Sequence, residues 1–196
     1  MAAGMAILVG ASGCSSSKAN DKPAATPTGQ SVTVAGRQTP PPWDAPANAV
    51  RFIQAAGLPP LASEGELVHF HAHLDVLVDG QPVTVPRFIG IDEQAQRISP
   101  LHTHTPDGIL HVEAPSQDAL TLGQFFTEWD VRLTGSCLGS LCAGNGKTLR
   151  LYVNGAPHPG NLAALVLAAH QEIALVYGDA GMTPKVPSSY HFPSGL

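Results

Sequence analysis

The most regular stretch of the chain is residues 67–80, LVHFHAHLDVLVDG, in which apolar and polar positions alternate strictly. Successive side chains of a β-strand point to opposite faces, so this alternation predicts a strand with one apolar face. The opposite face carries His69, His71 and His73, followed by Asp75. Neighbours on one face lie roughly 6.5–7 Å apart, which is close enough for two imidazoles to bind one metal ion at about 2 Å.

A helical period is clearest in TLGQFFTEWD at residues 121–130. Thr121 and Gln124 have the spacing of a capping box, in which each residue satisfies a free backbone N–H of the first helical turn. The apolar face of this helix consists of Leu122, Phe125, Phe126 and Trp129. A shorter helix is predicted over residues 47–56, with Gly57 as its stop.

The remaining patterns are strands separated by turn residues. Strands are predicted over 83–86, 148–155 and 170–178, and a second hairpin over 100–114, where Thr-Pro-Asp-Gly forms the turn. All clear connections are hairpins. We therefore expect residues 47–196 to form a single histidine-rich α+β domain. Its mainly antiparallel sheet would pack on one amphipathic helix, in a loosely β-grasp-like order.

The second hairpin admits two registers, which differ in where they place His111. With a four-residue loop, His102 pairs with His111, and both share a face with His104 and Glu113. With a three-residue loop and a bulge, Thr103 pairs with His111, whose side chain then turns to the opposite face. The sequence leaves both registers open.

Charge narrows the choice of partners. The whole chain carries a formal charge of −5, and from residue 58 onward 13 acidic residues stand against 6 basic ones. An acidic domain without a basic stripe excludes nucleic acid as a partner and is compatible with cations. Six of the nine histidines lie between His69 and His111, which points to a cation with a preference for nitrogen ligands.

The cysteines are of two kinds. Cys137 and Cys142 lie in the glycine-rich segment GSCLGSLCAGNG, and in an exported protein their spacing favours a local disulfide. A structural zinc site usually needs two such pairs, and the chain has one. Cys14 stands by itself near the start of the chain.

The first residues, MAAGMAILVGASGC, form an apolar segment that ends in Ala11-Ser12-Gly13 before Cys14. This arrangement resembles the lipobox of bacterial lipoproteins. The resemblance implies a partial signal peptide over 1–13, with Met1 downstream of the true start, and a lipid on Cys14. That lipid would hold the protein on the outer face of the membrane, in the cell envelope. The Ser-, Pro- and Thr-rich composition that follows predicts a disordered tether over 14–46.

The histidines and one carboxylate form the candidate metal site. Its candidate ligands are His69, His71, His73, His102, His104, His111 and Glu113. Neutral imidazole suits Zn²⁺ and Cu²⁺, and carboxylates such as Asp75 can bind the ion or orient a ligand. Cu⁺ prefers sulfur ligands, and the three methionines, Met1, Met5 and Met182, stand far from the histidines in the sequence.

The alternative interpretation makes these histidines ordinary polar residues on a solvated sheet face. Three histidines of one parity next to a His-x-His hairpin favour the metal site over this alternative. His158, His170 and His191 are isolated in the sequence, and we expect structural or surface roles for them.

A His-x-His strand with a further ligand from a neighbouring strand resembles the zinc site of animal-type carbonic anhydrases. It also resembles the copper site of Cu/Zn superoxide dismutases. Both resemblances cover only the His-x-His. The wider pattern HxHxHL…HTH…HxE is similar to that of exported proteins of uncharacterised function, and therefore implies export without implying an activity.

Taken together, the clustered histidines, the acidic domain and the long tether indicate a membrane-tethered protein that captures or buffers zinc or copper. The alternative is a metal-dependent enzyme, a hydrolase or lyase, in which three histidines hold zinc with an open position. Zinc lowers the pKa of a bound water to about 7, and Glu113 or Asp75 would be the general base. A third interpretation is a structural or adhesive envelope domain in which the metal only joins the two hairpins.

Overall fold

The histidine-bearing strand β1 (Val68–Val78) is an interior strand of a seven-stranded sheet. A computed structural model describes residues 1–2 and 33–196 of the chain. On one side β1 pairs in parallel with β11 (Glu172–Asp179), and on the other it pairs antiparallel with β6 (Ile109–Ala114). Strand β1 therefore contributes side chains to both halves of the sheet.

The other strands extend the sheet to both sides of this centre. Beyond β6 lies the two-residue strand β5 (Leu101–His102), and beyond β11 lie β9 (Lys147–Val153) and β10 (Ala156–Pro157). Strand β2 (Gln81–Val83) pairs with the end of β1. The strand order is β10-β9-β11-β1-β6-β5.

The sheet is mixed, whereas the hairpins of the sequence predicted a mainly antiparallel one. The parallel pair is β1 with β11, in which His73 lies opposite Glu172. The two strands are far apart in the sequence, and no turn signal connects them, so their pairing could not be derived from local patterns. The chain is broadly α+β, with two helices beside this sheet.

Two small hairpins lie outside the main sheet. One consists of β3 (Ile91–Asp92) and β4 (Arg97–Ile98). The other consists of β7 (Cys137–Leu138) and β8 (Leu141–Cys142), and a disulfide joins Cys137 to Cys142 across it.

The core lies on the apolar face of β1. Ala72, Leu74 and Val76 are buried in one cluster with the aromatic residues of helix α2 (Leu122–Glu128). The predicted capping box of this helix is confirmed, with Thr121 as its N-cap. The apolar parity of β1 thus turns toward the core, and the histidine parity turns to the other face.

Helix α1 (Ala49–Ala55) packs on α2, as does the short 3-10 helix Leu162–Ala164. Asn48 caps α1 by accepting a hydrogen bond from the backbone N–H of Arg51. Within the described residues, no helix is long and apolar enough to cross a membrane.

The segment 33–46 packs on the domain, so the predicted disordered tether over 14–46 is wrong for these residues. Val34 pairs with Leu133 in an isolated bridge, and the Trp43 side chain is only 2% exposed. The Trp43 ring meets the Trp129 ring edge to face, with 5.8 Å between their centroids. The composition predicted a linker here because the buried side chains of this segment, Val34 and Trp43, are few and stand among Pro and Thr residues. Residues 3–32, including Cys14, lie outside the described residues.

Candidate metal centre

Strand pairing brings five of the predicted ligands onto one face. His111 of β6 lies directly opposite His71 of β1 and directly opposite His102 of β5. In the next row of the sheet, His69 lies opposite Glu113. Directly opposed residues of antiparallel neighbours point to the same face, so the register that pairs His102 with His111 is the one adopted.

His104 joins these residues from a loop. Strand β5 ends at His102, so His104 is outside the ladder, where the four-residue loop would have paired it with Ile109. Its Nε2 atom nevertheless lies 3.0 Å from Nε2 of His102, and its ring centroid lies 4.6 Å from that of His111. We call His69, His71, His102, His104, His111 and Glu113 the histidine cluster.

The tautomer of His102 follows from its contacts. Its Nδ1 atom lies 2.8 Å from the backbone carbonyl of Ser99, which can only accept, so Nδ1 carries the hydrogen. The lone pair is therefore on Nε2, which faces His104. A ring fixed through one N–H to a carbonyl, with the other nitrogen free, is typical of histidine metal ligands.

Glu113 lies at the centre of the histidine cluster. Its Oε1 atom lies 3.3 Å from Nδ1 of His111, 3.5 Å from Nε2 of His69 and 3.9 Å from Nε2 of His71. Its Oε2 atom lies 3.9 Å from Nε2 of His102. With only 4% of the residue exposed, this carboxylate contacts imidazoles more than it contacts water.

Two polar atoms of the histidine cluster are buried without a hydrogen-bond partner among the described residues. They are Nε2 of His71 and Oε2 of Glu113. Leaving such an atom unsatisfied costs about 1–3 kcal/mol of folding free energy. Buried polar atoms are almost always paired, so these two atoms mark a place where the cluster could hold an ion.

The buried imidazoles are neutral, which is the form that binds metals. Burial, together with the neighbouring His104, lowers the pKa of His102 to about 3. The same two causes lower the pKa of His111 to about 4. Burial also lowers the pKa of His71. At neutral pH these three rings therefore offer lone pairs without first losing a proton.

Glu64 belongs to the same region, although the sequence did not single it out. Its Oε1 atom lies 3.3 Å from Nε2 of His104, and burial and the nearby Glu64 carboxyl raise the pKa of Glu113 to about 7. Glu64 stands in an irregular segment without periodicity, so no sequence signal could have found it. Together with Ser63, Gly65, Glu66, His69 and Glu113 it lines an open pocket of about 310 Å³.

Three overlapping sets of ligand atoms lie close enough to hold an ion. Each set has all its atoms within 4.8 Å of one another. The sets are His102, His104 and His111; His69, His71 and Glu113; and Glu64, His102 and Glu113. Two ligands of a tetrahedral zinc ion lie about 3.3 Å apart, so small side-chain adjustments would close each set around an ion.

The structure does not bring His73 into the histidine cluster. Its Nδ1 atom lies 2.9 Å from Oε2 of Glu172, and its Nε2 atom lies 2.9 Å from the Asp107 carbonyl. The Asp107 carbonyl can only accept, so Nε2 carries a hydrogen, and Nδ1 is engaged by the Glu172 carboxyl, so neither nitrogen offers a free lone pair. Burial by itself lowers the pKa of His73, but the bonds to Glu172 and Asp107 outweigh burial and raise it.

Aromatic side chains of the C-terminal segment stack on His73 and on His170. Tyr190 stacks on the His73 ring at 3.8 Å between centroids, and Phe192 stacks on the His170 ring at 4.8 Å. His73, Asp75 and Glu172 also form a set whose atoms lie within 4.8 Å of one another. Sequence reasoning missed Glu172 because only the parallel pairing of β1 with β11 places it beside His73.

Of the three isolated histidines, His170 lies nearest to the histidine cluster. Its backbone N–H donates to the carbonyl of His71, and its ring stacks on Phe192, so these contacts hold the local structure together. His158 follows β10 at the opposite edge of the sheet. Among the described residues, neither His158 nor His191 belongs to a set that could hold an ion.

Fold and site together define an α+β domain with a buried cluster of histidines and carboxylates that could hold a metal ion. Compared with protein-family models, curated proteins and solved structures, the chain matches none. The function must therefore be argued from the site itself.

Proposed function

We propose that this protein is an exported, membrane-tethered module that binds Zn²⁺ or Cu²⁺ through the histidine cluster. The observation that carries the proposal is that four imidazoles lie 3.3–3.9 Å from one buried carboxylate, while a fifth, that of His104, contacts two of them. Among the described residues, Nε2 of His71 and Oε2 of Glu113 have no hydrogen-bond partner. A dication bound between them would pair both atoms at once and would offset the cost of burying Glu113.

The donor set supports a transition metal over other cations. Imidazole nitrogens suit zinc and copper(II), whereas magnesium and calcium prefer shells made of oxygen ligands. His102 is already held in the tautomer that a metal requires, by its bond to the Ser99 carbonyl. A β-grasp-like packing of the sheet on α2 is part of the same proposal, with the cluster on the sheet face away from the helix.

The test is calorimetric titration of chelator-treated protein with Zn²⁺ and with Cu²⁺, followed by thermal unfolding. Because the ion binds only the folded state, a concentration of 100 Kd should raise the free energy of unfolding by about 2.7 kcal/mol. His104→Ala should weaken binding at least tenfold, because a ligand is lost from a half-exposed position.

The matched control is His158→Ala, which removes a histidine at the other edge of the sheet and should leave metal affinity unchanged. Absence of heat and of any rise in melting temperature with both metals would contradict the proposal. Equal losses of metal affinity in His104→Ala and His158→Ala would mean that surface histidines bind the metal nonspecifically, which would also contradict the proposal.

Export and lipidation of Cys14 are the second part of the proposal, and the lipobox-like residues that precede Cys14 support them. In a bacterial host that processes lipoproteins, the full open reading frame should incorporate labelled palmitate, and Cys14→Ser should abolish incorporation. No label in the unsubstituted protein would contradict this part alone, because the metal site does not depend on it.

A second candidate function is metal-dependent hydrolysis, favoured by the pocket of about 310 Å³ beside His69 and Glu113. A bound zinc ion would supply a water of lowered pKa, and Glu113, with its pKa raised to about 7, could accept a proton near neutral pH. Zinc-loaded protein should then hydrolyse an activated ester faster than metal-free protein, and Glu113→Gln should remove the difference. Equal rates with and without zinc would leave the binding function as the better conclusion.

A further inference from the structure

The histidine cluster contains more ligands than one ion can use. A zinc ion in a protein takes four ligands, and a copper(II) ion in a tetragonal site takes four strong ones. Five imidazoles and Glu113 converge here, and Glu64 contacts the same group. His71, His102, His111 and Glu113 are buried, and burying polar groups without a partner costs free energy, so the surplus of ligands calls for a physical reason.

Apart from the carboxylates, the ligands fall into two sets that share no histidine. One set consists of His102, His104 and His111, from β5, the following loop and β6. The other consists of His69 and His71 on β1, together with Glu113 itself. The members of each set lie within 4.8 Å of one another.

The two oxygens of Glu113 have different neighbours. Oε1 lies 3.5 Å from Nε2 of His69 and 3.9 Å from Nε2 of His71, and it also lies 3.3 Å from Nδ1 of His111, a member of the other set. Oε2 lies 3.9 Å from Nε2 of His102, the best-fixed ligand of the other set. The carboxylate therefore contacts nitrogens of both sets, as a ligand shared by two ions must.

Among the described residues, two buried atoms of the histidine cluster have no hydrogen-bond partner. One is Nε2 of His71, which belongs to the set with His69, and the other is Oε2 of Glu113, which lies 3.9 Å from Nε2 of His102 in the other set. Both residues are more than nine-tenths buried, at 3% and 4% exposure. An ion held by His102, His104 and His111 alone would leave Nε2 of His71 without a partner.

We propose that the histidine cluster is a binuclear centre in which Glu113 bridges two divalent transition-metal ions. This inference rests on the proposed metal-binding function and adds its stoichiometry and architecture. One ion takes His102, His104 and His111, and the other takes His69 and His71. Two-metal sites bridged in this way hold their ions about 3.5–4 Å apart. Glu64, 3.3 Å from His104, supplies a second carboxylate that offsets the added positive charge.

The experiment is titration of chelator-treated, full-length protein with Cu²⁺, read by native mass spectrometry and by electron paramagnetic resonance. We expect two copper ions per chain. Ions about 4 Å apart couple magnetically, so the resonance intensity per copper should fall by roughly half or more as the second site fills.

Variants at the two sides separate the sites. His69→Ala removes a half-exposed ligand of one set and His104→Ala removes one from the other, so each should bind one copper with full, uncoupled intensity. His158→Ala is the matched control and should keep two coupled ions. Glu113→Gln should weaken the second ion at least tenfold relative to the first and abolish the coupling, because the bridging charge is gone.

The outcomes distinguish this inference from the function on which it rests. One copper per chain in the unsubstituted protein overturns the binuclear centre and leaves metal binding intact. No bound copper, confirmed with Zn²⁺, overturns both. Two uncoupled ions that are insensitive to Glu113→Gln overturn the bridging role. Two ions in both His69→Ala and His104→Ala overturn the assignment of the sites.

Discussion

Two histidines of the sheet show how the neighbours of a ring decide its chemistry. His102 donates Nδ1–H to a carbonyl and keeps a free lone pair on Nε2. His73 faces an acceptor with each nitrogen, Glu172 on one side and the Asp107 carbonyl on the other. The first ring has a lone pair free to bind a metal, whereas both nitrogens of the second ring are engaged in hydrogen bonds, although both rings belong to His-x-His sequences.

Glu128 on α2 is a third residue whose surroundings set its charge. Its side chain is buried in the core, and neither carboxyl oxygen has a hydrogen-bond partner among the described residues. Burial raises the pKa of Glu128 well above its ordinary value, so folding favours the protonated form of this carboxyl.

This burial predicts a stability that falls as pH rises. In the unfolded chain Glu128 ionises at its ordinary pKa, so above about pH 4.5 folding must take up a proton. Its contribution then declines by about 1.4 kcal/mol per pH unit until the folded pKa is reached. Glu128→Gln should therefore stabilise the protein at pH 7.5 relative to the unsubstituted chain, and should change stability little at pH 4.

Urea unfolding of both proteins at the two pH values measures this difference. The comparison cancels every other titrating group, because these are common to both chains. An equal effect of Glu128→Gln at pH 4 and pH 7.5 would show that the carboxyl is already ionised in the folded state and would contradict the prediction.

At the scale of elements, short strands and loops position the metal ligands. Strand β5 has only two residues, yet its pairing with β6 fixes His102 opposite His111. His104 follows in the loop, which turns its ring back toward the same point. The hydrogen bond from His102 to Ser99 and the ladder with β6 therefore do the positioning that a longer strand would otherwise provide.

Helix α2 forms the opposite side of the core, and its capping box predicts a measurable stability. Thr121 accepts from the backbone N–H of Gln124, and the Gln124 side chain accepts from the backbone N–H of Thr121. Thr121→Ala should lower the free energy of unfolding by about 1 kcal/mol, measured by urea titration, because the backbone N–H of Gln124 loses its acceptor.

The matched control lies in the same helix. Thr127 is half-buried like Thr121, but its hydroxyl donates to the Gly123 carbonyl, which already belongs to the helix. Thr127→Ala should change stability by less than about 0.5 kcal/mol. Equal losses at the two positions would mean that deletion of the threonine side chain, and not the cap, sets the cost.

At the scale of the molecule, the segment 33–46 is an integral part of the domain. Arg37 donates to the backbone carbonyls of Trp129 and Asp130, which close the end of α2. The indole N–H of Trp129 in turn donates to the carbonyl of Trp43. The segment thus donates hydrogen bonds to the backbone carbonyls at the end of α2 and packs against Trp129.

This packing predicts that Trp43→Ala destabilises the domain by about 3–5 kcal/mol, since a fully buried indole and its edge-to-face contact with Trp129 are lost. Asp44→Ala is the neighbouring control, because its side chain is exposed while its backbone carbonyl accepts from Arg37 in either case. The control should stay within about 0.5 kcal/mol. If Trp43→Ala were as stable as the control, residues 33–46 would not contribute to the stability of the domain, and the prediction would be wrong.

Much of the local structure was determined by the sequence alone, because its signals lie within a few residues. The period of two in β1 placed His69 and His71 on one face and Leu74 on the other. The capping box and the period of 3.6 located α2 to within two residues of its bounds. Such signals are short-range consequences of strand and helix geometry.

Tertiary structure alone decided everything that joins distant parts of the chain. It chose the register that aligns His102 with His111, added Glu64 from an irregular segment, and moved His73 into an ion pair with Glu172. It also packed residues 33–46 on the domain. Apart from the hairpin register, these contacts join segments separated by tens of residues. The free energy that selects them comes from burial and pairing across the whole fold, which no local pattern records.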